Sequence, residues 1–230
     1  FSGDGRPVII VSSRLDEKKN IIGVVHAYAA CRELRDRADL VLCVRGIDDP
    51  AADIGNLGAS EQVVLAKILA AIEAGGFRDN VHFLNIRSQA ELAATYRYFA
   101  VRGSVFALTA FYEPFGLAPI EAAATGLAPV ATKHGGPTEI FADGSGVLVD
   151  PFSPDDIAGG LMDGFQRHAE LSTKAIRRVE KTYTWHQTVE GYISIVAKMM
   201  EAPMPASEAY SGKLDASQRI EKYLRHNDNA

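Results

Sequence analysis

The chain has 230 residues, of which 47% are apolar and 23% are charged, so it can bury a sizeable core. This composition excludes a disordered tail, a collagen-like fibre and a disulfide-stapled miniprotein. The formal net charge is -5, from 29 acidic and 24 basic side chains. A chain of this charge is not expected to bind nucleic acid or an anionic membrane through a general electrostatic field.

The sequence contains neither a stretch long and apolar enough to cross a membrane nor a signal peptide, so we expect a cytoplasmic protein. The chain begins with Phe1 rather than Met, and it enters an apolar run directly after Pro7. Such a start is typical of a domain cut from a longer polypeptide, and we expect a fragment.

Six short apolar runs rich in β-branched residues predict strands, and most of them lack polar alternation. Continuous apolar strands are what a parallel sheet covered on both faces requires. The predicted strands are Val8 to Val11, Leu40 to Val44, Val81 to Leu84, Val105 to Leu108, Ala128 to Ala131 and Val147 to Val149.

The segments between the strands carry apolar residues at helical spacing. The first of them has Ile21, Val24, Val25, Tyr28, Cys31 and Leu34 on one stripe. The predicted helices are Asn20 to Arg35, Ser60 to Ala74, Gln89 to Val101, Pro119 to Thr125, Pro154 to His168, Leu171 to Thr182 and Trp185 to Met200.

Strands alternating with helices predict one α/β domain over residues 1–200, a Rossmann-like, doubly wound parallel sheet of six strands. Its last helices would occupy about 153–200. Residues 201–230 open with Pro203 and Pro205 and end in a polar run, which predicts a linker and tail. Ligands of such a fold bind beyond the carboxyl ends of the strands, so the loops there are the candidate sites.

The loop after the first strand contains Arg14 and Lys19. Arg can form forked hydrogen bonds with two phosphate oxygens and Lys supplies a compact charge, so the pair suits a diphosphate. The alternative is a solvated loop in which Arg14 pairs with Asp16 or Glu17. This loop alone does not decide between the two.

The loop after the fourth strand contains Glu113 and Glu121, eight positions apart across a strand-to-helix turn. Between them, the amides of Phe115, Gly116 and Leu117 can point at an anion near the positive end of a helix. Two carboxylates beside a phosphate cradle suit a sugar nucleotide, with Glu113 on the hexose and Glu121 on the ribose. The alternatives are a solvated turn residue for Glu113 and favourable helix-start electrostatics for Glu121.

Sequence signatures of several other enzyme classes are absent. There is no G-x-G-x-x-G after a strand, no G-x-x-x-x-G-K-[ST], no G-x-S-x-G and no H-E-x-x-H. The six histidines show no pairing at metal-ligand spacing, and the two cysteines have no second ligand nearby. We therefore predict neither a metal site nor a cofactor.

Four elements occur in order between about Pro7 and Met200. They are Ser13-Arg14-Leu15-Asp16-x-Lys18-Lys19-Asn20, Glu113-Pro-Phe-Gly-Leu-x-Pro-Ile-Glu121, Gly135-Gly136-Pro137 and Gly146-Val-Leu-Val-Asp150-Pro151. Together they resemble the carboxyl-terminal, donor-binding half of sucrose-phosphate synthases, which are retaining glycosyltransferases of the GT-B fold.

The resemblance implies a role for each site residue. Arg14 and Lys19 would hold the diphosphate and act as electrophiles, without a metal. Glu113 and the amides of residues 115–117 would meet the donor hexose and the distal phosphate. Glu121 would hold the ribose hydroxyls, and the base would lie against Ile86.

The resemblance also implies transfer of a hexose to fructose 6-phosphate, giving sucrose 6-phosphate. UDP-glucose is the favoured donor, and GDP-mannose, used by the similar mannosylfructose-phosphate synthases, is the alternative. The acceptor site belongs to a preceding domain in that family, so we expect this chain to be inactive by itself. Two further alternatives are a hydrolysing sugar-nucleotide epimerase and a non-catalytic sugar-nucleotide-binding module.

Overall fold

The structure is a computed structural model that describes residues 5–201. The chain divides into two compact units, 1–184 and 185–230. The predicted domain, 1–200, therefore includes the first helix of the second unit, and its bounds stay a prediction. The predicted linker and tail, 201–230, lie outside the described residues apart from Glu201, where the last helix ends.

The first unit is built on a single parallel sheet of six strands, as predicted. The strand order is 3-2-1-4-5-6, and every pairing is parallel. The direction of winding reverses between the first and fourth strands, which opens a crevice beyond their carboxyl ends. The strands are β1 (Val8–Ser12), β2 (Asp39–Cys43), β3 (Val81–Leu84), β4 (Val105–Leu108), β5 (Ala128–Thr132) and β6 (Val147–Val149).

The helices of the first unit cover both faces of this sheet, and three short 3-10 turns, Glu17–Lys19, Ile54–Asn56 and Arg78–Asn80, lie between elements. The short helices α3 and α7 were not predicted. The helices are α1 (Ile21–Ala30), α2 (Arg32–Arg37), α3 (Pro50–Asp53), α4 (Ala59–Gly75), α5 (Gln89–Ala100), α6 (Leu117–Ala124), α7 (Pro137–Ile140), α8 (Pro154–Gln166) and α9 (His168–Thr182).

The first predicted helix, Asn20 to Arg35, is wrong in one respect, because the structure breaks it at Cys31. Cys31 is extended, with φ -100° and ψ 103°. The Arg35 guanidinium folds back and donates to the carbonyls of Tyr28 and Ala29 at the end of α1. These side-chain bonds satisfy carbonyls that a helix end leaves open, so the chain stops one helix and starts α2.

The core lies on both faces of the sheet. One cluster joins Ile9 and Val11 of β1 to α1, α4 and α8. Val8 and Ile10 point to the opposite face and join Tyr96 of α5 and Ala122 of α6. Alternate strand residues thus serve alternate layers, and both faces of β1 are covered.

The second unit contributes one described helix, α10 (Trp185–Glu201). Val189, Tyr192, Ile193 and Val196 recur along it at helical spacing. None of the described helices is long and apolar enough to cross a membrane.

Candidate functional site

The two predicted loops meet at the point where the sheet reverses its winding. The β1 loop is tied to the β4 loop by Asn20, whose side-chain amide donates to the carbonyls of Thr109 (3.0 Å) and Pro151 (2.8 Å). In return, the Thr109 hydroxyl donates to the Asn20 carbonyl at 3.1 Å. Asn20 is buried and adopts a left-handed φ of 51°, a conformation that Asn tolerates better than most residues.

The close contact between the β4 and β5 loops depends on two glycines. The Glu113 N–H donates to the His134 carbonyl (3.1 Å), and the Gly136 N–H donates to the Glu113 carbonyl (2.8 Å). A Cβ on Gly135 would lie 2.1 Å from the Glu113 oxygen, and one on Gly136 would lie 2.0 Å from the Phe115 oxygen. The Gly-Gly element is therefore what lets one loop fix the backbone of the other.

These contacts place most of the predicted site residues around one cavity of about 360 Å³. Arg14 and Lys19 come from the β1 loop, and Glu113 and the segment 115–117 come from the β4 loop. A second cavity of about 680 Å³ adjoins it, and Ile86 lines that cavity. Ser12, Ser13 and Arg14 line both cavities.

The Arg14 guanidinium makes no hydrogen bond or ion pair within the part of the chain that the structure describes. The alternative pairing with Asp16 or Glu17 does not occur, since the Asp16 side chain accepts from the Lys18 N–H and Glu17 pairs with Lys67. Arg14 is exposed and lines the cavity. Its guanidinium is thus available to an anion.

Lys19 and Glu113, which we assigned to different parts of a ligand, are paired with each other. The Lys19 Nζ lies 2.6 Å from the Glu113 Oε2, and the side chains are only 22% and 13% exposed. Glu113 is therefore not a solvated turn residue. A ligand that binds Lys19 must share or replace this ion pair.

The backbone N–H groups at residues 115–117, the predicted amide cradle, are free of acceptors within the described fold. Gly116 precedes α6 with a φ of 109°, a conformation that favours glycine. Within the described residues, the N–H groups of Phe115, Gly116 and Leu117 have no acceptor. These three residues line the same cavity as Arg14 and Lys19, so unpaired amides and positive charge lie around one cavity.

Glu121 stands apart from the other predicted residues, because it lines neither cavity. It is the fifth residue of α6, beyond the first turn, where the helix dipole has little effect. Burial raises the pKa of its carboxyl above the usual range, and it makes no hydrogen bond or ion pair to a described residue. Helix-start electrostatics therefore do not account for it.

Sequence reasoning missed Ser12 and the tethering role of Asn20. Asn20 was visible in the sequence as the end of a charged loop, but its bonds to Thr109 and Pro151 span 89 and 131 positions. Ser12 could have been noticed as a polar residue that ends an apolar strand, as Thr132 does in β5. Within the described residues, no group of three or more His, Cys, Asp or Glu side chains could hold a metal ion.

A protein-family model described as "Glycosyl transferases group 1" matches residues 2–182. Sucrose-phosphate synthase 4 of Arabidopsis thaliana is 36% identical over 200 residues, which are 85% of this chain and 19% of that protein. The sucrose-phosphate synthase of Zea mays is 37% identical over 196 residues, 84% of this chain and 18% of the maize protein. The chain thus spans about a fifth of the length of the curated relatives it matches.

Solved structures share the fold. The sucrose-phosphate synthase of Thermosynechococcus elongatus superposes with a TM-score of 0.69 at 23% identity, over 86% of this chain and 46% of that one. Anabaena HepE, solved in complex with UDP and glucose, gives a TM-score of 0.67 at 20% identity, over 86% of this chain and 49% of that one.

Proposed function

Because this chain belongs to the group 1 glycosyltransferases, we propose that it is the donor-binding part of a sucrose-phosphate synthase-like hexosyltransferase. The enzyme would move a hexose from a nucleotide sugar to fructose 6-phosphate, and the acceptor site would lie outside the described domain. One observation carries the proposal: Arg14, Lys19 and the free amides of residues 115–117 open on one cavity at the switch point of the sheet.

The diphosphate would occupy this cavity. Arg14 would bind it with a forked pair of hydrogen bonds, and Lys19 and the amide cradle would bind the remaining oxygens. These contacts strengthen as negative charge grows on the departing nucleotide, which is electrostatic catalysis by the chain's own groups. The proposed reaction therefore needs no metal.

Glu113 would accept hydrogen bonds from hydroxyl groups of the hexose. Its backbone is fixed by the β5 loop and its carboxylate is bound to Lys19, so it is poorly placed to move onto the anomeric carbon. We favour retention by front-face attack, in which the acceptor oxygen bonds to the face that the diphosphate leaves. A glycosyl adduct trapped on Glu113 in the whole enzyme would overturn that mechanism.

Glu121 would receive the ribose hydroxyls. A half-buried carboxylate without a partner costs stability, and two hydroxyl donors would remove that cost. The base would lie beside Ile86 in the larger cavity. Anabaena HepE has been solved with UDP-glucose, which supports UDP-glucose as donor, with GDP-mannose as the alternative. The sucrose-phosphate synthases among the relatives support sucrose 6-phosphate as product.

The first test is a calorimetric titration of the chain with UDP and with GDP in buffer without divalent metal. We expect a dissociation constant for UDP between about micromolar and millimolar, and weaker binding of GDP. Tighter binding of GDP would make GDP-mannose the proposed donor in place of UDP-glucose. Binding of neither nucleotide to the folded chain would overturn the proposed site.

The Glu113→Gln variant tests the split between hexose and diphosphate. Loss of the charge frees Lys19, so affinity for UDP should hold or rise by no more than about fivefold. Affinity for UDP-glucose should fall about tenfold, because bonds to a charged acceptor are lost. Glu17→Gln is the matched control, since Glu17 is exposed and pairs with Lys67 outside the cavity. Equal weakening of UDP and UDP-glucose would refute the hexose assignment.

A further inference from the structure

The larger cavity, of about 680 Å³, is lined by residues that end or follow β1, β2 and β3. Much of its wall is apolar, and Leu15, Leu57, Ile86 and Leu92 contribute to it. Such a wall suits the faces of a planar base. Apolar contact does not distinguish one base from another, so that choice depends on the polar groups around the cavity.

Arg45 lies two residues beyond the end of β2 and lines this cavity. It is exposed, and its guanidinium makes no hydrogen bond or ion pair to any residue that the structure describes. An arginine side chain has five N–H donors, no acceptor and a permanent charge. The apolar cavity therefore has an uncommitted donor group at its edge.

Arg87, on the loop after β3, shows the opposite arrangement. Its guanidinium pairs with Asp48 at 3.3 Å. Asp48 also accepts from the side-chain amide of Asn85 at 3.0 Å, while the Asn85 Oδ1 accepts from the Gly46 N–H at 2.8 Å. These bonds join the two loops, and they engage the carboxylate that is nearest to Arg45 in the sequence.

The other carboxylates of these loops are also engaged. Asp49, Glu61 and Glu91 each accept from a backbone N–H beside the start of a helix, at 2.9, 3.1 and 2.7 Å. These bonds satisfy donors that a helix start leaves open. The loops thus bind their own carboxylates and leave Arg45 for a ligand.

We propose that Arg45 is a specificity-determining residue that selects a base with a carbonyl oxygen on its outer edge. This inference rests on the proposed nucleotide site. The guanidinium donates to O4 of uracil, or with a forked pair to O6 and N7 of guanine. Cytosine and adenine carry an amino group in place of that oxygen, and an amino group donates rather than accepts. Arg45 therefore disfavours both.

Two neutral side chains on the same cavity, Asn56 and Gln89, cannot make this choice. An amide side chain carries both a donor and an acceptor, so it can pair with a carbonyl oxygen or with an amino group. Arg45 can only donate. Selection against amino bases is therefore expected to depend on Arg45.

Calorimetric titration of the whole 230-residue chain with UDP and with CDP tests the inference. The two nucleotides carry the same ribose and diphosphate, so the ratio of their affinities reports the base alone. We expect UDP to bind about tenfold more tightly than CDP. Arg45→Ala should weaken UDP and reduce the ratio to about twofold or less. Arg45→Gln should bind CDP as tightly as UDP, because glutamine can donate or accept.

Arg32→Ala is the matched control. It also removes one positive charge, but Arg32 is exposed on α2, pairs with Asp36 and lines neither cavity. Its affinities for UDP and CDP should equal those of the unsubstituted chain. If GDP binds more tightly than UDP, the same comparison is made with GDP and ADP, and the same ratios are expected.

The outcomes separate this inference from the proposed function. An equal loss of UDP and CDP affinity in Arg45→Ala would show that Arg45 acts on the diphosphate through its charge. That result would overturn the inference and leave the site intact, as would equal binding of UDP and CDP by the unsubstituted chain. Absence of UDP and GDP binding in the unsubstituted chain would overturn the site and this inference together.

Discussion

The two ends of the sheet differ in whether their charged side chains have partners within the fold. At the amino end, Asp39 is 7% exposed and accepts from Arg6 (3.1 Å), Asn80 (3.2 Å) and His82 (3.2 Å). At the carboxyl end, the side chains of Arg14 and Glu121 have no hydrogen-bond or ion-pair partner among the described residues. Satisfied charge stabilises the fold at the amino end, whereas at the carboxyl end the exposed Arg14 side chain and the half-buried Glu121 carboxylate are left for a ligand to bind.

The backbone at the carboxyl end also leaves polar groups without partners. The carboxyl end has loops held so closely that two glycines are required, and it leaves several amide groups open. Such an arrangement fixes donors in advance of the ligand, which lowers the entropy cost of binding. We therefore predict that substitutions of charged side chains change stability at the amino end and change affinity at the carboxyl end, whereas a substitution that separates the two loops changes both.

Gly136→Ala should have the largest effect on affinity. The backbone φ of -51° suits alanine, but the new Cβ would lie 2.0 Å from the Phe115 oxygen, so the loops must separate. We expect UDP affinity to fall about tenfold or more, because the amides beside Phe115 are displaced. The free energy of unfolding should fall by about 1–3 kcal/mol, measured in urea.

Gly159→Ala in α8 is the control for that substitution. No atom lies within 4 Å of a Cβ at Gly159, and alanine is the better helix former by up to about 1 kcal/mol. This variant should be slightly more stable and bind UDP normally. Normal UDP binding by Gly136→Ala would show that the contact between the loops does not hold the cradle.

Asp39→Ala should lower stability and leave UDP affinity unchanged, whereas Arg14→Ala should weaken UDP binding and leave stability almost unchanged. Removing Asp39 leaves Arg6 without the partner that its guanidinium has at 3.1 Å, and we expect a loss of about 2–3 kcal/mol in the free energy of unfolding. UDP affinity of the folded fraction should not change. Arg14→Ala should change the free energy of unfolding by less than about 0.5 kcal/mol and lower the affinity for UDP about tenfold or more. A large stability loss from Arg14→Ala would contradict the division between the two ends.

The strands were the part of the fold most accessible from sequence. The predicted bounds of β3, β4 and β6 match the structure, β1 and β5 differ by one residue at one end, and β2 is shifted by one residue at both ends. Continuous β-branched runs carry that signal locally. The break at Cys31 carried none, because it depends on Arg35 reaching back to two carbonyls that belong to α1.

The sequence allowed the residue types of the candidate site to be predicted, but not the pairings between them. Parallel strands bring their carboxyl ends to one edge, so Arg14, Lys19, Glu113 and the amide cradle could be expected to converge. The ion pair between Lys19 and Glu113 joins residues 94 positions apart, and no local pattern encodes it. That the Arg45 guanidinium has no partner among the described residues likewise depends on contacts between separate loops.

Substitution of His168 should have the smallest effect on the free energy of unfolding. It tests how the amino end of the sheet contributes to the pH dependence of stability. The residue begins α9 near Ser104, and its Nε2 is buried without a hydrogen-bond partner in the described residues. Burial lowers the pKa of His168 below its ordinary 6.5, and a hydrogen bond with the Ser104 backbone opposes this in part. The folded state therefore favours the neutral ring.

The sign of the pH dependence follows from that direction. Below pH 6.5 the unfolded chain takes up a proton that the folded chain resists, so this contribution to stability is complete above the unfolded pKa and is lost as pH falls through the folded one. We expect His168→Gln to flatten the fall in unfolding free energy between about pH 7.5 and pH 5, measured in urea, by less than the loss from Asp39→Ala. His26→Gln, on the exposed side of α1, should leave the slope unchanged. An equal slope in the unsubstituted chain and His168→Gln would mean that His168 protonates as readily folded as unfolded, and the acid sensitivity of the amino end would then belong to its carboxylates.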